Sequence, residues 1–206
     1  MIKAIIFDQD GTLYEREHLL YQQIQKKTRE WICSKKQISE TQYVALIDQL
    51  KKEYPNPIKG FQSIGIAAHE YHQEVFDKVK PQHFLEPNRK LIQCLDSISI
   101  PMFVVTLSSK VFSHQVLYSL GIKKQFEQTY SLGGIDTNVQ DKICIYESIR
   151  SQLNLTSSEM VILGDNYAVD LEDAHKLGYQ VFEVTNTPRL MTILESLQEG
   201  AIQNEK

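Results

Sequence analysis

The sequence has few cysteines and no long apolar run. Cys33, Cys94 and Cys144 are spread widely over 206 residues, and this odd number favours reduced thiols in a cytoplasmic protein over a disulfide framework or a zinc site. No stretch approaches the roughly 18 uninterrupted apolar residues that a membrane span needs. The segment Met1-Ile2-Lys3 leads directly into a short apolar run, so we expect no signal peptide and no membrane anchor.

The chain also lacks a basic stripe, an internal repeat and a low-complexity segment. Its net charge is −4, and Lys and Arg are scattered along the chain, which argues against a nucleic-acid partner held through backbone phosphates. A small anionic ligand in a local site remains compatible with this charge. Hydrophobic residues make up 42% and charged residues 23%, as in ordinary globular proteins. The length predicts one main domain with a small addition.

Short β-rich runs alternate with segments of helical spacing over most of the chain. The runs 2–7, 101–106, 160–164 and 180–184 predict buried strands, and 126–132 predicts a weaker one. Strands that alternate with helices are best accommodated by a parallel sheet covered on both faces. We therefore predict an α/β fold.

Residues 14–81 break this alternation, because their apolar spacing predicts three consecutive amphipathic helices and no strand. Ser39 and Gln42 fit a capping box at the start of the second helix. Pro55, Pro57 and Gly60 are expected to interrupt the chain before the third helix. We predict a core formed by residues 1–13 and 82–206, with a helical subdomain inserted at residues 14–81.

Polar clusters follow three of the predicted strands. Asp8-Gln9-Asp10-Gly11-Thr12 follows the first, Thr106-Leu107-Ser108-Ser109-Lys110 ends the second, and Gly164-Asp165-Asn166 with Asp170 follows the run 160–164. In α/β sheets the ligand crevice lies beyond the carboxyl ends of the strands. We therefore expect Asp8, Asp10, Thr106 and Asp165 to converge on one site.

Such a group of carboxylates needs compensation. Two ionised carboxylates 4 Å apart repel by roughly 4 kcal/mol at an effective dielectric near 20. Oxygen ligands without His or Cys select a hard cation, and Mg²⁺ is the predicted one. It would also help to neutralise a substrate phosphate.

These residues suit phosphoryl transfer to a carboxylate. Asp8 is the predicted nucleophile, since a carboxylate can form an aspartyl-phosphate that water hydrolyses. Asp10 is the predicted general acid and base, provided that its surroundings favour the protonated form. The Thr106 hydroxyl and nearby backbone N–H groups, including that of Leu107, are predicted to bind the phosphoryl oxygens. Lys142 is predicted to supply positive charge facing them.

Four further residues have two open interpretations each. Tyr14 and Arg16 lie where the inserted segment begins, and they either contact the leaving group or pack the linker. His69 and His72 lie one turn apart in the third predicted helix. They either contact a substrate or metal or lie at the surface or an interface, and we expect the second, because no acidic or cysteine ligand accompanies them at a metal spacing.

In order along the chain, IIFDQDGTLY, VVTLSS, Lys142 and GDNYAVD resemble the four motifs of the haloacid dehalogenase (HAD) superfamily. The resemblance spans nearly the whole chain. It implies a Rossmann-like doubly wound parallel sheet with an inserted α-helical cap that closes over small substrates. It also implies an aspartyl-phosphate mechanism, and Mg²⁺ contacting Asp8, the backbone carbonyl of Asp10, and Asp165, with Asp170 supporting the site.

Three features qualify this resemblance. Members that displace halide usually lack an acid at the position of Asp10, so Asp10 favours phosphate chemistry. Leu107 stands where many phosphatases of the family carry Asn, and Lys142 lacks the Pro that often follows the family lysine. The expected function is a magnesium-dependent phosphatase acting on a small phosphate monoester. A phosphomutase of the same family and a non-catalytic binding protein are the alternatives, and the oligomeric state is left open.

Overall fold

A computed structural model describes residues 1–133 and 141–202. Its sheet contains five parallel strands: β1 (Ala4–Phe7), β2 (Met102–Ser109), β3 (Gln128–Gly133), β4 (Met160–Gly164) and β5 (Gln180–Glu183), in the order β3-β2-β1-β4-β5. The four strong strand predictions and the weaker one are confirmed. β1 is central, and Ile6 pairs with Phe103 on one side and Ile162 on the other. All residues of β1 and β4 are buried, as expected for a parallel sheet covered on both faces.

In the chain, β1 is followed by the four helices of the inserted segment: α1 (Leu19–Lys36), α2 (Glu40–Glu53), α3 (Pro57–Ser63) and α4 (Ala68–Glu74). The predicted capping box is present, with Ser39 and Gln42 exchanging hydrogen bonds. The prediction of three helices is wrong. Pro57 begins α3 instead of breaking the chain, because proline is tolerated in the first helical turn and Asn56 caps the preceding position.

Five more helices follow: α5 (Arg89–Asp96), α6 (Lys110–Ser119), α7 (Lys142–Gln152), α8 (Glu172–Lys176) and α9 (Thr187–Ile202). One face of the sheet, with Ile5 and Phe7, belongs to a hydrophobic cluster that includes residues of α5, α6, α9 and the inserted helices. The other face, with Ile6, packs with α7 and α8 through Tyr146 and Ala174. The sheet is therefore doubly wound, as predicted. Within the described residues, no helix has both the length and the apolar composition that crossing a bilayer requires.

The inserted helices form an α-helical cap subdomain over the carboxyl ends of the strands. Leu20 and Phe61, from the cap, belong to the same buried cluster as Phe7 of the sheet. The boundaries of the cap at residues 14 and 81 stay a prediction. This arrangement places the tips of β1, β2 and β4 beneath the cap.

Candidate active site

The tip of β1 turns sharply after Asp8. The Asp8 amide donates to the Leu163 carbonyl at 2.7 Å, which continues the sheet by one residue, and the Leu13 amide then donates to the Gln9 carbonyl at 2.9 Å. Gly11 has a φ of +98°, and a Cβ at this position would lie 2.0 Å from Asp165 Oδ2. Glycine is therefore required here both by the backbone conformation and by the approach of the neighbouring acidic side chain.

Lys142 joins two acidic side chains at the floor of the site. Its Nζ donates to Asp8 Oδ1 at 2.5 Å and to Asp170 Oδ1 at 2.6 Å. All three residues are buried, with exposures of 4% for Lys142, 5% for Asp8 and 4% for Asp170. A buried lysine with two carboxylate partners is held in one geometry, because removing either contact leaves an uncompensated charge.

Burial and mutual charge shift the pKa values of these groups. Burial raises the pKa of Asp8 well above its usual value, and Asp170, Asp165 and Asp10 raise it further against the opposing effect of Lys142. Burial lowers the pKa of Lys142, but Asp170 and Asp8 outweigh it and raise that pKa well above its usual value. Lys142 is therefore the cation on which the charge of Asp8 depends.

Asp165 and Asp170 complete the acidic group. Carboxylate oxygens of Asp8, Asp165 and Asp170 lie within 4.8 Å of one another. Asp170 Oδ2 also accepts from the Asn166 amide at 3.0 Å. A Cβ added at Gly164 would lie 2.5 Å from the Asp170 Cβ, so the last residue of β4 has to be glycine for this side chain to approach the strand.

Arg16 forms an ion pair with Asp165, and its predicted contact with the leaving group stays a prediction. Burial raises the pKa of Asp165, while the hydrogen bond and charge of Arg16 lower it. Tyr14 likewise bonds to the site, since its hydroxyl donates to Asp10 Oδ1 at 2.6 Å.

The Asp10 carboxylate accepts four hydrogen bonds and faces a different part of the site from the acidic group. Gln9 Nε2 and Tyr14 Oη donate to Oδ1, at 3.0 and 2.6 Å. Thr106 Oγ1 and Ser108 Oγ donate to Oδ2, at 3.2 and 2.5 Å. The contacts of Tyr14 and Ser108 with Asp10 are not among the sequence predictions. The four-residue spacing of Tyr14 from Asp10 does not indicate its contact, because residues 10–14 form a turn and not a helix.

The Thr106 hydroxyl is engaged inside the protein. It donates to Asp10 and accepts from the Ser108 amide at 3.0 Å. Ser109 caps α6, since its Oγ accepts from the Phe112 amide at 3.1 Å. The predicted phosphate-binding roles of Thr106 and of the amino end of α6 stay predictions, and both features lie at the edge of the site.

His72 connects the cap to the core. Its Nε2 lies 2.8 Å from the Leu107 carbonyl and its Nδ1 lies 2.6 Å from the Ala68 carbonyl. Of the two roles expected for His72, the surface role is wrong, because its exposure is only 1%; it packs at the interface between cap and core. Sequence spacing does not show this, because the contact joins residues 35 positions apart. Leu107 thus contributes its backbone carbonyl to cap packing and its side chain to the cavity described next.

These groups open onto one large cavity between the core and the cap. Its volume is about 1130 Å³. The core side contributes the predicted residues Asp8, Asp10, Thr106, Leu107, Lys142, Asp165 and Asp170. The cap side contributes residues of α1, α2, α3 and α4. All the site residues that the sequence predicted therefore face a single space.

The carboxylate group fits a divalent cation. Four carboxylates, those of Asp8, Asp10, Asp165 and Asp170, face two cationic side chains, Lys142 and Arg16. With all of them ionised, the negative charge in excess equals the charge of one divalent cation. The three clustered carboxylates offer the hard oxygen donors that Mg²⁺ prefers.

Comparisons with known proteins agree with the fold. The chain is similar to an HAD phosphatase from Thermococcus onnurineus, with 17% identity, a TM-score of 0.58 and coverage of 94% of this chain and 98% of that one. It is similar to YfnB from Bacillus subtilis in its magnesium-bound form, with 14% identity, a TM-score of 0.58 and coverage of 94% and 99%.

An L-2-haloacid dehalogenase from Xanthobacter autotrophicus, with chloropropionic acid covalently bound, is a third structural neighbour, at 16% identity, a TM-score of 0.50 and coverage of 89% and 78%. These identities show a shared fold only. A search of curated protein sequences finds no match to this chain. The family model described as haloacid dehalogenase-like hydrolase matches residues 5–184. Together with the five-stranded core and its helical insertion, this match shows that the chain belongs to the haloacid dehalogenase-like hydrolase family.

Proposed function

We propose that this hydrolase is a magnesium-dependent phosphatase that cleaves a small phosphate monoester through an aspartyl-phosphate on Asp8. One observation carries the proposal. Carboxylate oxygens of Asp8, Asp165 and Asp170 lie within 4.8 Å of one another, and these residues and Asp10 line the cavity between the core and the cap. A nucleophile, a cation site and a proton-transfer group are then available to one substrate.

Asp8 supplies the nucleophilic oxygen. An Asp8 carboxylate oxygen attacks phosphorus, and the bond between phosphorus and the leaving oxygen breaks. Lys142, 2.5 Å from Asp8 Oδ1, orients this carboxylate and favours its ionised, nucleophilic form against the opposing effect of burial. Lys142 cannot move away without leaving Asp170 unpaired as well, so the nucleophile is held in place before the substrate arrives.

Asp10 transfers the proton in both half-reactions. It donates a proton to the leaving oxygen when the ester bond breaks, and it accepts a proton from the water that then attacks the aspartyl-phosphate. The hydroxyl groups of Tyr14, Thr106 and Ser108 surround this carboxylate. Because a hydroxyl can either donate or accept, the same three groups can hold Asp10 in both protonation states.

Asp8, Asp165 and, by the family resemblance, the backbone carbonyl of Asp10 would hold Mg²⁺, with Asp170 supporting them. When bound, this ion supplies positive charge that stabilises the phosphoryl oxygens. Arg16 pairs with Asp165 Oδ2, so its guanidinium competes with the ion for the negative charge of that carboxylate. Phosphate chemistry is favoured over halide displacement because Asp10 is present and is surrounded by proton-carrying groups.

The test is release of inorganic phosphate from a panel of phosphate monoesters, measured with Mg²⁺, with excess chelator, and in the Asp8→Asn variant. We expect activity only for the unaltered chain with Mg²⁺, and at least an about thousandfold loss in Asp8→Asn. Asp173→Asn is the matched control, because this exposed acid lies three residues from Asp170 and its ion pair with Lys176 is on the surface. Full activity in Asp8→Asn, or turnover independent of divalent ions, refutes the mechanism.

Two further assays separate the alternatives. Product analysis with a sugar 1-phosphate distinguishes a phosphatase, which releases phosphate, from a phosphomutase, which returns phosphate to the sugar. Incubation with 2-chloropropionate tests halide displacement, since a structural neighbour carries that type of acid. Chloride release without phosphatase activity would overturn the proposal.

A further inference from the structure

We propose that the leaving group of the substrate carries a planar aromatic ring, which binds against the aromatic wall of the cap; this inference rests on the proposed phosphatase function. The two ends of the cavity differ in chemistry. Its floor carries Asp8, Asp10, Lys142 and Asp165 and suits a phosphate group with its cation. Its upper part suits a different kind of chemical group.

The aromatic wall consists of six cavity-lining side chains of the cap, namely Tyr21, Tyr43, Tyr54, Phe61, Tyr71 and Phe76. Three of them form a continuous packed set. The Tyr71 ring lies 4.7 Å from the Phe61 ring and 5.6 Å from the Phe76 ring between centroids, in tilted and edge-on arrangements. Phe76 in turn packs edge-on against Phe112 of α6 at 5.1 Å. The wall therefore reaches from the cap down to the core beside the acidic floor.

Polar groups of the buried wall are already used within the protein. Thr28 Oγ1 bonds to the Ile24 carbonyl at 2.9 Å and lies 3.1 Å from the Tyr71 hydroxyl. Both residues are buried. The surface they turn towards a ligand is therefore largely carbon, as it is at the neighbouring Leu50 and Ile58, which are also buried and also line the cavity.

Most charged groups of the cap that line the cavity are exposed to solvent, and Arg29 is half-buried. Glu17, Lys26, Asp48 and Lys51 line the cavity and are all exposed. At the buried part of the wall, formed by Phe61, Tyr71, Leu50 and Ile58, a polyhydroxylated leaving group would lose its hydration and gain few hydrogen-bond partners, which is unfavourable for each hydroxyl left unpaired. A flat apolar ring loses nothing in that position and gains contact with the aromatic side chains.

The size of the cavity supports the same conclusion. A volume of about 1130 Å³ slightly exceeds the roughly 300–1,000 Å³ of sites that enclose ligands of drug size. A phosphate ester with a two-carbon leaving group would fill little of it. Tyr21 and Tyr43 are half-buried on two different helices of the cap, so they can contact a ring that enters between α1 and α2.

The test compares four primary alkyl phosphates, so that the chemistry at the leaving oxygen is closely matched: 2-phenylethyl phosphate, thymidine 5′-monophosphate, glucose 6-phosphate and ethyl phosphate. The measured quantity is kcat/KM for phosphate release with Mg²⁺. We expect the better of the two ring-bearing esters to exceed glucose 6-phosphate by about tenfold or more, which is the scale of a single ring-stacking contact. The better of these two esters identifies whether the ring belongs to a simple arene or to a nucleobase.

Variants of Tyr43 test whether the ring contact lies where we place it. Tyr43→Ala should lower kcat/KM for the preferred ring-bearing ester about fivefold more than for ethyl phosphate, and Tyr43→Phe should keep most of the preference because it keeps the ring. Tyr118→Ala is the control, since this tyrosine is 76% exposed and lies on α6 outside the cavity. Tyr118→Ala should leave kcat/KM unchanged both for the preferred ring-bearing ester and for ethyl phosphate.

Two results overturn the inference in different ways. If all four esters release phosphate but glucose 6-phosphate is used as well as both ring-bearing esters, the ring inference fails and the phosphatase function stands. If none of the four is hydrolysed, including ethyl phosphate, the inference fails together with the proposed function. An equal loss on all esters in Tyr43→Ala would also contradict the placement of the ring.

Discussion

Lys142→Met should strongly destabilise the protein, because it removes the shared partner of two buried carboxylates. Lys142 Nζ lies 2.5 Å from Asp8 Oδ1 and 2.6 Å from Asp170 Oδ1, and the side chains of all three residues are at most 7% exposed. Methionine keeps a chain of similar length and removes the charge. The two carboxylates are then left close together without Lys142.

Removing one partner of a buried ion pair typically costs about 3–5 kcal/mol. For a chain of 150–250 residues, each kcal/mol shifts the melting temperature by about 2–4 °C. We therefore expect the Tm of Lys142→Met to fall by roughly 6–20 °C. The exposed ion pair of Lys59 and Asp141, at 2.6 Å with side-chain exposures of 42% and 49%, provides the control. Lys59→Met should cost at most about 1 kcal/mol.

The measurements are thermal unfolding for the Tm and urea denaturation for the free energy of unfolding, each with and without Mg²⁺. Mg²⁺ should recover part of the stability of Lys142→Met, because a bound cation supplies the missing positive charge. The double variant Lys142→Met/Asp170→Asn should also be more stable than Lys142→Met alone, since it removes one of the uncompensated charges. These two comparisons distinguish the loss of charge from a packing defect.

The pH dependence gives a further check on the same variant. Burial raises the pKa of Asp8, and the loss of Lys142 should raise it more, so the folded state holds the proton more tightly than the unfolded state. Relative to the unaltered chain, the deficit of Lys142→Met is then complete above the folded Asp8 pKa of the variant, and it shrinks as the pH falls from there to the raised folded Asp8 pKa of the unaltered chain. A deficit no larger than that of Lys59→Met, and independent of both pH and Mg²⁺, would refute the reasoning.

Three other predictions concern the surroundings of the site. Arg16→Ala should tighten Mg²⁺ binding several-fold in calorimetry, because the ion no longer competes with a guanidinium for the Asp165 carboxylate. Lys51→Ala, which removes a charge at the mouth of the cavity, should have a smaller effect on Mg²⁺ affinity. Equal effects of the two variants would contradict direct competition. Gly164→Ala should cost about 1–3 kcal/mol of unfolding free energy, since its Cβ would lie 2.5 Å from the Asp170 Cβ. Gly60→Ala should be tolerated, because its Cβ would meet nothing closer than 3.5 Å. Similar costs for the two variants would show that the close approach of Asp170 to Gly164 does not require glycine. Burial lowers the pKa of His72, against the opposing effect of its two carbonyl partners, so the stability that its neutral ring contributes is complete above the unfolded pKa of about 6.5 and is lost as the pH falls below it. His72→Gln does not titrate and should lose less stability than the unaltered chain between about pH 7.5 and pH 5, and equal losses in urea denaturation would contradict this.

The tips of the strands could be predicted from the sequence because both signals involved are local. A buried strand appears as an apolar run, and the polar residues that end it are adjacent in the chain, as in Asp8 and Asp10 after β1. The rule that parallel strands present their carboxyl ends at one edge then brings Asp165 to the same place. The capping box of Ser39 and Gln42 was predictable for the same reason, since its two residues are three positions apart.

Prediction from the sequence was less successful in the cap. Proline and glycine near residue 57 indicated a break, but proline in a first helical turn is also compatible with a helix start, and the structure begins α3 at Pro57. Where a single third helix is predicted after Gly60, the structure has the end of α3 followed by a separate helix, α4. The apolar spacing correctly indicates amphipathic helices, but two short helices separated by a tight turn can show the same spacing of apolar residues as one longer helix.

By itself, the sequence determined the parallel α/β core, the insertion after the first strand, and the identity of the acidic residues at the strand tips, because each of these depends on neighbouring residues or on a general rule of strand topology. Only the tertiary structure decided which partner each acidic side chain takes. Lys142 lies 134 positions from Asp8, Ser108 lies 98 from Asp10 and His72 lies 35 from Leu107. Contacts at such separations depend on how the helices pack on the sheet and on the cap, and no local pattern in the chain encodes that packing.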